Sequence, residues 1–303
     1  MMRFLTAVFI LFLINCGVAP RSDSTFLAMG GIPVNITLYC PPEQADSIYP
    51  VLEDTLKHLD SLFTKYSPDS PVYRFNDTGR PIEMNNYFKE IFTLSGEVYE
   101  ETDGYFDIGI QSLISYYERC EKEQNEPLDD SLIFYSSSAG HQGIIDSAGY
   151  ALKSNSALEI DLGGIAKGYI ADVLSRCIVR MGVDKFMLDM AGDIVVHNRD
   201  ESDEFTVGIL NSAGEEIFRT IALSNGAVMT SGDYYRYYEI NGKRYSHIIN
   251  PKTGRPSPPG RSVTVVADRG AYADAYATAL MLMDRQAVEQ FREDRPDVRI
   301  IVQ

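Results

Sequence analysis

Apolar residues recur every three or four positions over residues 42–65, where Ile48, Val51, Leu52, Leu56, Leu59, Leu62 and Phe63 define one side of a helix. Pro50 marks its first turn or a kink. Residues 67–71 read as a loop. Residues 86–101 and 110–123 are again helical in pattern, with Gly104 as a C-terminal cap after the first of them. Alternation replaces this period elsewhere. Residues 26–39 form a strand pair broken at Gly30-Gly31, and residues 143–162 hold two strands. Residues 185–196 and 204–223 supply four short strands. Residues 235–240 and 243–249 flank Asn241-Gly242, a strong hairpin turn signal. A strand over 261–267, a helix over 271–283 and a strand over 298–302 complete the chain. The most informative junction is at 158–181. Alternating Leu158, Ile160 and Leu162 read as a strand running into Gly163-Gly164. Ile170, Val173, Leu174, Cys177, Ile178 and Met181 then follow at helical spacing. Helical and extended segments intermix without a repeat or a clear linker, which predicts one α+β body.

Composition changes this picture little, but charge does. The 303 residues carry a formal net charge of −16, which argues against nucleic acid and against a cationic membrane-binding patch. An anionic ligand needs local lysines, arginines or a divalent metal to reverse that field. The N-terminus is a separate message. Arg3 precedes an apolar run over 4–14 that is short for a bilayer span and suits a signal-peptide core. Leu13-Ile14-Asn15-Cys16-Gly17 resembles a bacterial lipoprotein leader, cleaved before a lipidated Cys16; an export signal cut slightly later is the other reading. The expected division is a leader at 1–15, a tether at 16–24 and a folded body at 25–303. Cys40, Cys120 and Cys177 remain, an odd number that argues against a disulfide framework.

Three segments carry candidate chemistry. A strand, two glycines and a helix N-terminus let a backbone approach an anion closely. Lys167 stands in the first helical turn, where the helix dipole disfavours a cation, so it reads as a partner for a bound anion or as a solvated lysine. Neither the Walker pattern nor the Rossmann glycine pattern is present. Asp274 and Thr278 lie one turn apart on a single helix face. They read as oxygen ligands for Mg²⁺ or as a solvated face. His247 lies in the second hairpin strand, in a polar and aromatic setting, and reads as a proton carrier or a structural histidine. Lys252 and Arg255 bring positive charge to a ligand phosphate or solvate the turn at 250–254.

Taken together, residues 161–172, 231–256 and 263–283 resemble the motifs of the ApbE family. The resemblance extends to Ala28-Met-Gly30, to Tyr66-Ser-Pro-Asp-Ser70 with Asn76, and to Thr102-Asp-Gly-Tyr-Phe-Asp107. It implies a two-lobed body with mixed sheets and flanking helices, and FAD:protein FMN transferase activity. It further implies FAD between the lobes, with Mg²⁺ on the Ala166 carbonyl and the Asp274 and Thr278 side chains. Met29, Tyr66, Ser67, Asp107, Asp161, Lys167, Ser231 and Asp233 would form the flavin pocket, and His247 would move the acceptor's proton. The implied partners are exported flavoproteins with a Ser or Thr acceptor motif. The implied location is the periplasmic face of a membrane, reached through the lipid alone. The same pocket allows FAD hydrolysis to FMN and AMP, or flavin binding without chemistry, as alternatives. Two positions depart from the family pattern. Ala191 stands where a glycine is common, and Gly31 where a threonine is common.

Overall fold

The computed structural model describes residues 20–138, 140–233 and 236–303. The leader, Cys16 and Tyr235 therefore lie outside the described residues. The strands are β1 (Arg21–Ala28), β2 (Ile32–Tyr39), β3 (Ile82–Glu83), β4 (Ile144–Ser147), β5 (Tyr150–Lys153), β6 (Lys185–Met190), β7 (Asp193–Asn198) and β8 (Phe205–Leu210). They continue with β9 (Ile217–Leu223), β10 (Gly226–Gly232), β11 (Tyr237–Ile240), β12 (Lys243–Ser246), β13 (Ser262–Ala267) and β14 (Arg299–Val302). The helices are α1 (Pro42–Phe63), α2 (Pro71–Thr78), α3 (Asn86–Glu101), α4 (Gln111–Glu123), α5 (Asp129–Ser138), α6 (Ala166–Arg180), α7 (Gly270–Leu280) and α8 (Arg285–Asp294).

Seven strands form one sheet in the order β1-β2-β6-β7-β10-β13-β14. Every pairing in it is antiparallel. Helix α7 packs on β10 and β13, α6 packs on α7 and on β6 and β7, and α1 packs on α6 and β1. The large core is shared by the sheet and these helices, with Ile36, Leu38, Leu56, Ile170 and Leu280 fully buried. The β8–β9 ribbon contributes Val207, Ile209, Ile221 and Leu223 to a separate cluster with Val196, Val228 and Val266 of the sheet. A smaller core joins α4, α5 and β11 through Leu113, Tyr117, Leu132, Tyr238 and Ile249. These two helix-bearing cores are the two lobes.

Several expectations change in detail. Strand β1 begins at Arg21, so residues 21–24 of the expected tether are strand, paired with residues 36–39 of β2. Val51 is exposed on α1, whereas Ala45, Ile48, Leu52, Leu56, Leu59 and Phe63 are buried. Pro42 opens that helix and Pro50 falls at an exposed position inside it. Helix α3 ends at Glu101, is capped by Thr102 and turns through Asp103 and Gly104, both with positive φ.

The expected strand at 158–162 is absent. Leu158, Ile160 and Leu162 are buried alternately, but the segment joins no sheet. Asn76 of α2 takes the place of a neighbouring strand. Its Nδ2 donates to the Ile160 carbonyl and its Oδ1 accepts from the Ile160 N–H, both at 2.8 Å. Asp161 N–H donates to the Ile108 carbonyl at 2.7 Å. Both Ile160 backbone groups and the Asp161 N–H are thus satisfied without a ladder, as burial requires.

Candidate active site

A cavity of about 500 Å³ lies between the two lobes. One wall is the junction of α6 and α7. A Cβ on Gly168 would lie 2.0 Å from the Gly270 carbonyl oxygen, so only glycine lets the two backbones approach this closely. Asp172 of α6 caps α7. Its Oδ1 accepts from Gly270 N–H at 2.6 Å and its Oδ2 from Ala271 N–H at 3.2 Å. Asp274 of α7 returns the contact, accepting from Gly168 N–H at 3.1 Å.

This reciprocal seam sets the oxygen group. Asp274 is buried. Burial pushes its carboxyl up to about 6; nearby Lys167 opposes that shift and Asp193 adds to it. Thr278 Oγ1 lies one turn on, 3.3 Å from Ser231 Oγ, and donates to the Asp274 carbonyl at 3.1 Å. Ala166, Asp274, Thr278 and Ser231 all line the cavity. Among the described residues, no group of three or more His, Cys, Asp or Glu side chains is gathered for a metal. One carboxylate, one hydroxyl and one carbonyl instead fit Mg²⁺, which keeps several waters and leans on ligand phosphates. A buried carboxylate whose charge is disfavoured is also a chemically sensible place for a divalent cation.

Lys167 departs from the anion reading. It lines the cavity, but its ammonium is paired with buried Asp193, whose other oxygen accepts from Thr230 N–H at 2.9 Å. Asp193 follows the tight turn Ala191-Gly192, and both turn residues have positive φ. Asp161 lines the cavity opposite a lysine that the sequence reading did not single out. Lys65 Nζ is 2.6 Å from Asp161 Oδ2 and donates to Gln111 Oε1 at 2.6 Å. Burial opposes the charge of Asp161, but the Lys65 ammonium and the Gly163 N–H outweigh it and hold the carboxyl low.

His247 lies just past β12 rather than in it, and lines the cavity. Its Nδ1 is 2.8 Å from the Arg236 carbonyl oxygen. A carbonyl only accepts, so the proton sits on Nδ1 and Nε2 keeps a lone pair. Burial lowers its pKa to about 4, which keeps the ring neutral at physiological pH.

Met29 and Tyr66 also line the cavity. Met29 has φ 47° and its N–H donates to Asp60 Oδ2 at 3.0 Å. Tyr66 is exposed at the rim. Asp107 lines the cavity too, but its carboxylate is occupied locally: Oδ1 accepts from Gly109 N–H at 2.7 Å, and burial pushes its pKa up to about 6. Ser67 and Asp233 are not in the lining. Asp233 accepts from Gly260 N–H at 3.1 Å, which ties down a turn. The loop lysine and arginine are also taken by ion pairs, Lys252 with Asp103 and Arg255 with Asp129. Lining residues that the sequence reading passed over include Asp60, Lys65, Arg236 and Tyr238. Arg236 and Tyr238 had a local signal, both lying in the expected strand over 235–240, Tyr238 three positions before the strong turn.

The architecture recurs in solved ApbE structures. It matches the ApbE protein of Thermotoga maritima with a TM-score of 0.82 at 24% identity, covering 93% of this chain and 94% of that one. It matches the flavin transferase ApbE of Vibrio cholerae with a TM-score of 0.79 at 24% identity, covering 94% and 93%. Residues 30–302 match the ApbE family, and the chain belongs to that family. It is 29% identical over 245 residues to the FAD:protein FMN transferase of Escherichia coli K12, covering 76% of this chain and 69% of that one. It is 30% identical over 240 residues to the FAD:protein FMN transferase of Chlamydia muridarum, covering 76% and 73%.

Proposed function

We propose that this chain is a FAD:protein FMN transferase that moves FMN from FAD to a Ser or Thr hydroxyl of an acceptor protein. One observation carries the reading: a neutral imidazole with a free Nε2 shares one cavity with the oxygen set of Ala166, Asp274 and Thr278. His247 Nε2 takes the proton of the acceptor hydroxyl. The oxygen attacks the flavin-side phosphorus, a new P–O bond forms, and the pyrophosphate bridge breaks to release AMP. The Nδ1–H bond to Arg236 holds the ring in the required tautomer throughout. Ala166, Asp274 and Thr278 would hold Mg²⁺, which when bound stabilises charge on the pyrophosphate oxygens and the leaving group. The lobes enclose the reacting atoms, and the apolar lining of Phe63, Ile110, Ile114 and Ile170 limits access of water.

The proposal includes export and lipidation at Cys16, supported by the leader-like pattern before it. No helix among the described residues is long and apolar enough to cross a membrane. Acceptors are then flavoproteins outside the cytoplasm.

The test supplies FAD and Mg²⁺ to the full chain, with and without an acceptor protein, and follows AMP and the acceptor's intact mass together. Acceptor-dependent AMP with a mass gain of one FMN unit supports transfer. AMP released equally without acceptor, with no mass gain, replaces transfer with hydrolysis. Bound FAD without AMP replaces both with a binding role.

A further inference from the structure

We propose that Arg236 and Tyr238 together bind the flavin-side phosphoryl group, the one that is transferred; the inference rests on the transferase reading above. Among the described residues, three cationic side chains line the cavity: Lys65, Lys167 and Arg236. Lys65 is paired with Asp161 and Lys167 with Asp193. Among the described residues, Arg236 has no carboxylate within ion-pair distance. The cavity also presents Asp60, Asp107, Asp161 and Asp274, in a chain of net charge −16. A pyrophosphate entering it needs a cation that is not already neutralised. The oxygen set on α6 and α7 addresses one side of that charge, and Arg236 addresses the side next to His247.

Tyr238 adds an independent observation. It lines the cavity, is buried, and its hydroxyl has no hydrogen-bond partner among the described residues. Buried hydroxyls are normally satisfied, so an orphan in a cavity wall points to a ligand. Residues two apart on extended backbone share a face. Arg236 and Tyr238 both meet the cavity, while the ring of the intervening Tyr237 is covered by the Arg244 guanidinium at 4.2 Å. The Arg236 carbonyl is also the group that fixes the His247 tautomer. A single residue thus orients the proton acceptor through its backbone and offers a planar donor fork through its side chain. That fork suits a phosphoryl group's non-bridging oxygens, and the tyrosine O–H supplies one more donor.

FMN and riboflavin differ only by this phosphate, so their affinities isolate it. Binding of each is measured by flavin fluorescence on the full chain, at fixed saturating Mg²⁺, for wild type, Arg236→Ala, Arg236→Lys and Tyr238→Phe. The expected result is that Arg236→Ala weakens FMN about 10- to 100-fold and Tyr238→Phe about 3- to 10-fold, with riboflavin within about twofold. Arg236→Lys recovers part of the loss, because an ammonium lacks the fork. Tyr238→Phe leaves the melting temperature of the ligand-free protein unchanged or higher, since it removes an unsatisfied hydroxyl; a structural role would lower it. Equal losses for FMN and riboflavin overturn the proposal, as does an unchanged FMN affinity in either Arg236→Ala or Tyr238→Phe. Circular dichroism and the Arg236→Lys variant separate lost contact from lost fold. The transferase reading fails by a different readout, the absence of flavinylated acceptor from wild-type protein that binds FAD.

Discussion

The cavity has two walls built on opposite principles. At the α6–α7 seam, two helix backbones touch through Gly168 and Gly270, and Asp172 and Asp274 each accept backbone N–H groups from the other helix. At the β11–β12 hairpin, Arg236 just before β11 has no ion pair among the described residues, and the Tyr238 hydroxyl has no hydrogen-bond partner among them. The first wall satisfies its polar groups internally and presents a fixed oxygen set. The second leaves its donors unsatisfied and so has something to gain from a ligand. Preorganisation and recognition are divided between them.

The harshest way to break this contrast is to separate the helices. Gly168→Ala places a methyl against a backbone oxygen that cannot yield. We expect a loss of about 4 kcal/mol or more of stability, read as a fall in denaturant midpoint or as failure to fold. Asp274→Asn leaves the seam packed and removes the charge. Turnover at saturating Mg²⁺ is expected to fall by about three orders of magnitude, with thermal stability unchanged or raised because that buried charge is removed. An unchanged Mg²⁺ dependence would remove Asp274 from the ligand set.

On the open side, His247→Ala is expected to lower kcat about 100-fold or more while FAD affinity changes little. The pH dependence follows from the lowered pKa. At saturating Mg²⁺, where the cation keeps Asp274 ionised, kcat/KM falls below about 4 as the ring binds a proton and loses its lone pair. In His247→Ala that acid limb disappears. Hydrogen exchange sharpens the contrast without mutation. The Gly168, Gly270 and Ala271 amides should exchange at least about tenfold more slowly than the exposed amides of β12, since they open only when the seam does. The smallest effect concerns Ala191, a strained turn residue two positions before Asp193, the partner of Lys167. Ala191 has φ 56°, and Ala191→Gly is expected to stabilise by about 1 kcal/mol, read as a higher melting temperature.

Much of this was legible in the chain. The periodicity of α6, the Asn241-Gly242 turn, and the Asp274 and Thr278 pair on α7 all sit where local pattern places them. Other features escaped for stated reasons. Strand β10 is buried at four consecutive positions and bounded by glycines, so it shows no alternation. Helix α5 exposes Ile133 and Phe134 and buries Leu132, which defeats a helical period. Residues 158–162 alternate like a strand because they are buried on one side, but their partner is a side chain 84 positions away. The pairings of Lys65 with Asp161 and of Lys167 with Asp193 span 96 and 26 positions and come from the fold alone. Such pairings decided which cations were spoken for, and spacing along the sequence carries no trace of them.

The start of β1 at Arg21 sets a leash. With the lipid proposed at Cys16, only residues 17–20 separate the anchor from the sheet. Four residues reach about 14 Å at full extension. Under that proposal the enzyme would work as a surface-bound device with a short radius, and an acceptor would have to present its hydroxyl within one protein diameter of the lipid headgroups. Lengthening that leash would widen the layer of acceptors it can serve without altering the chemistry in the cavity.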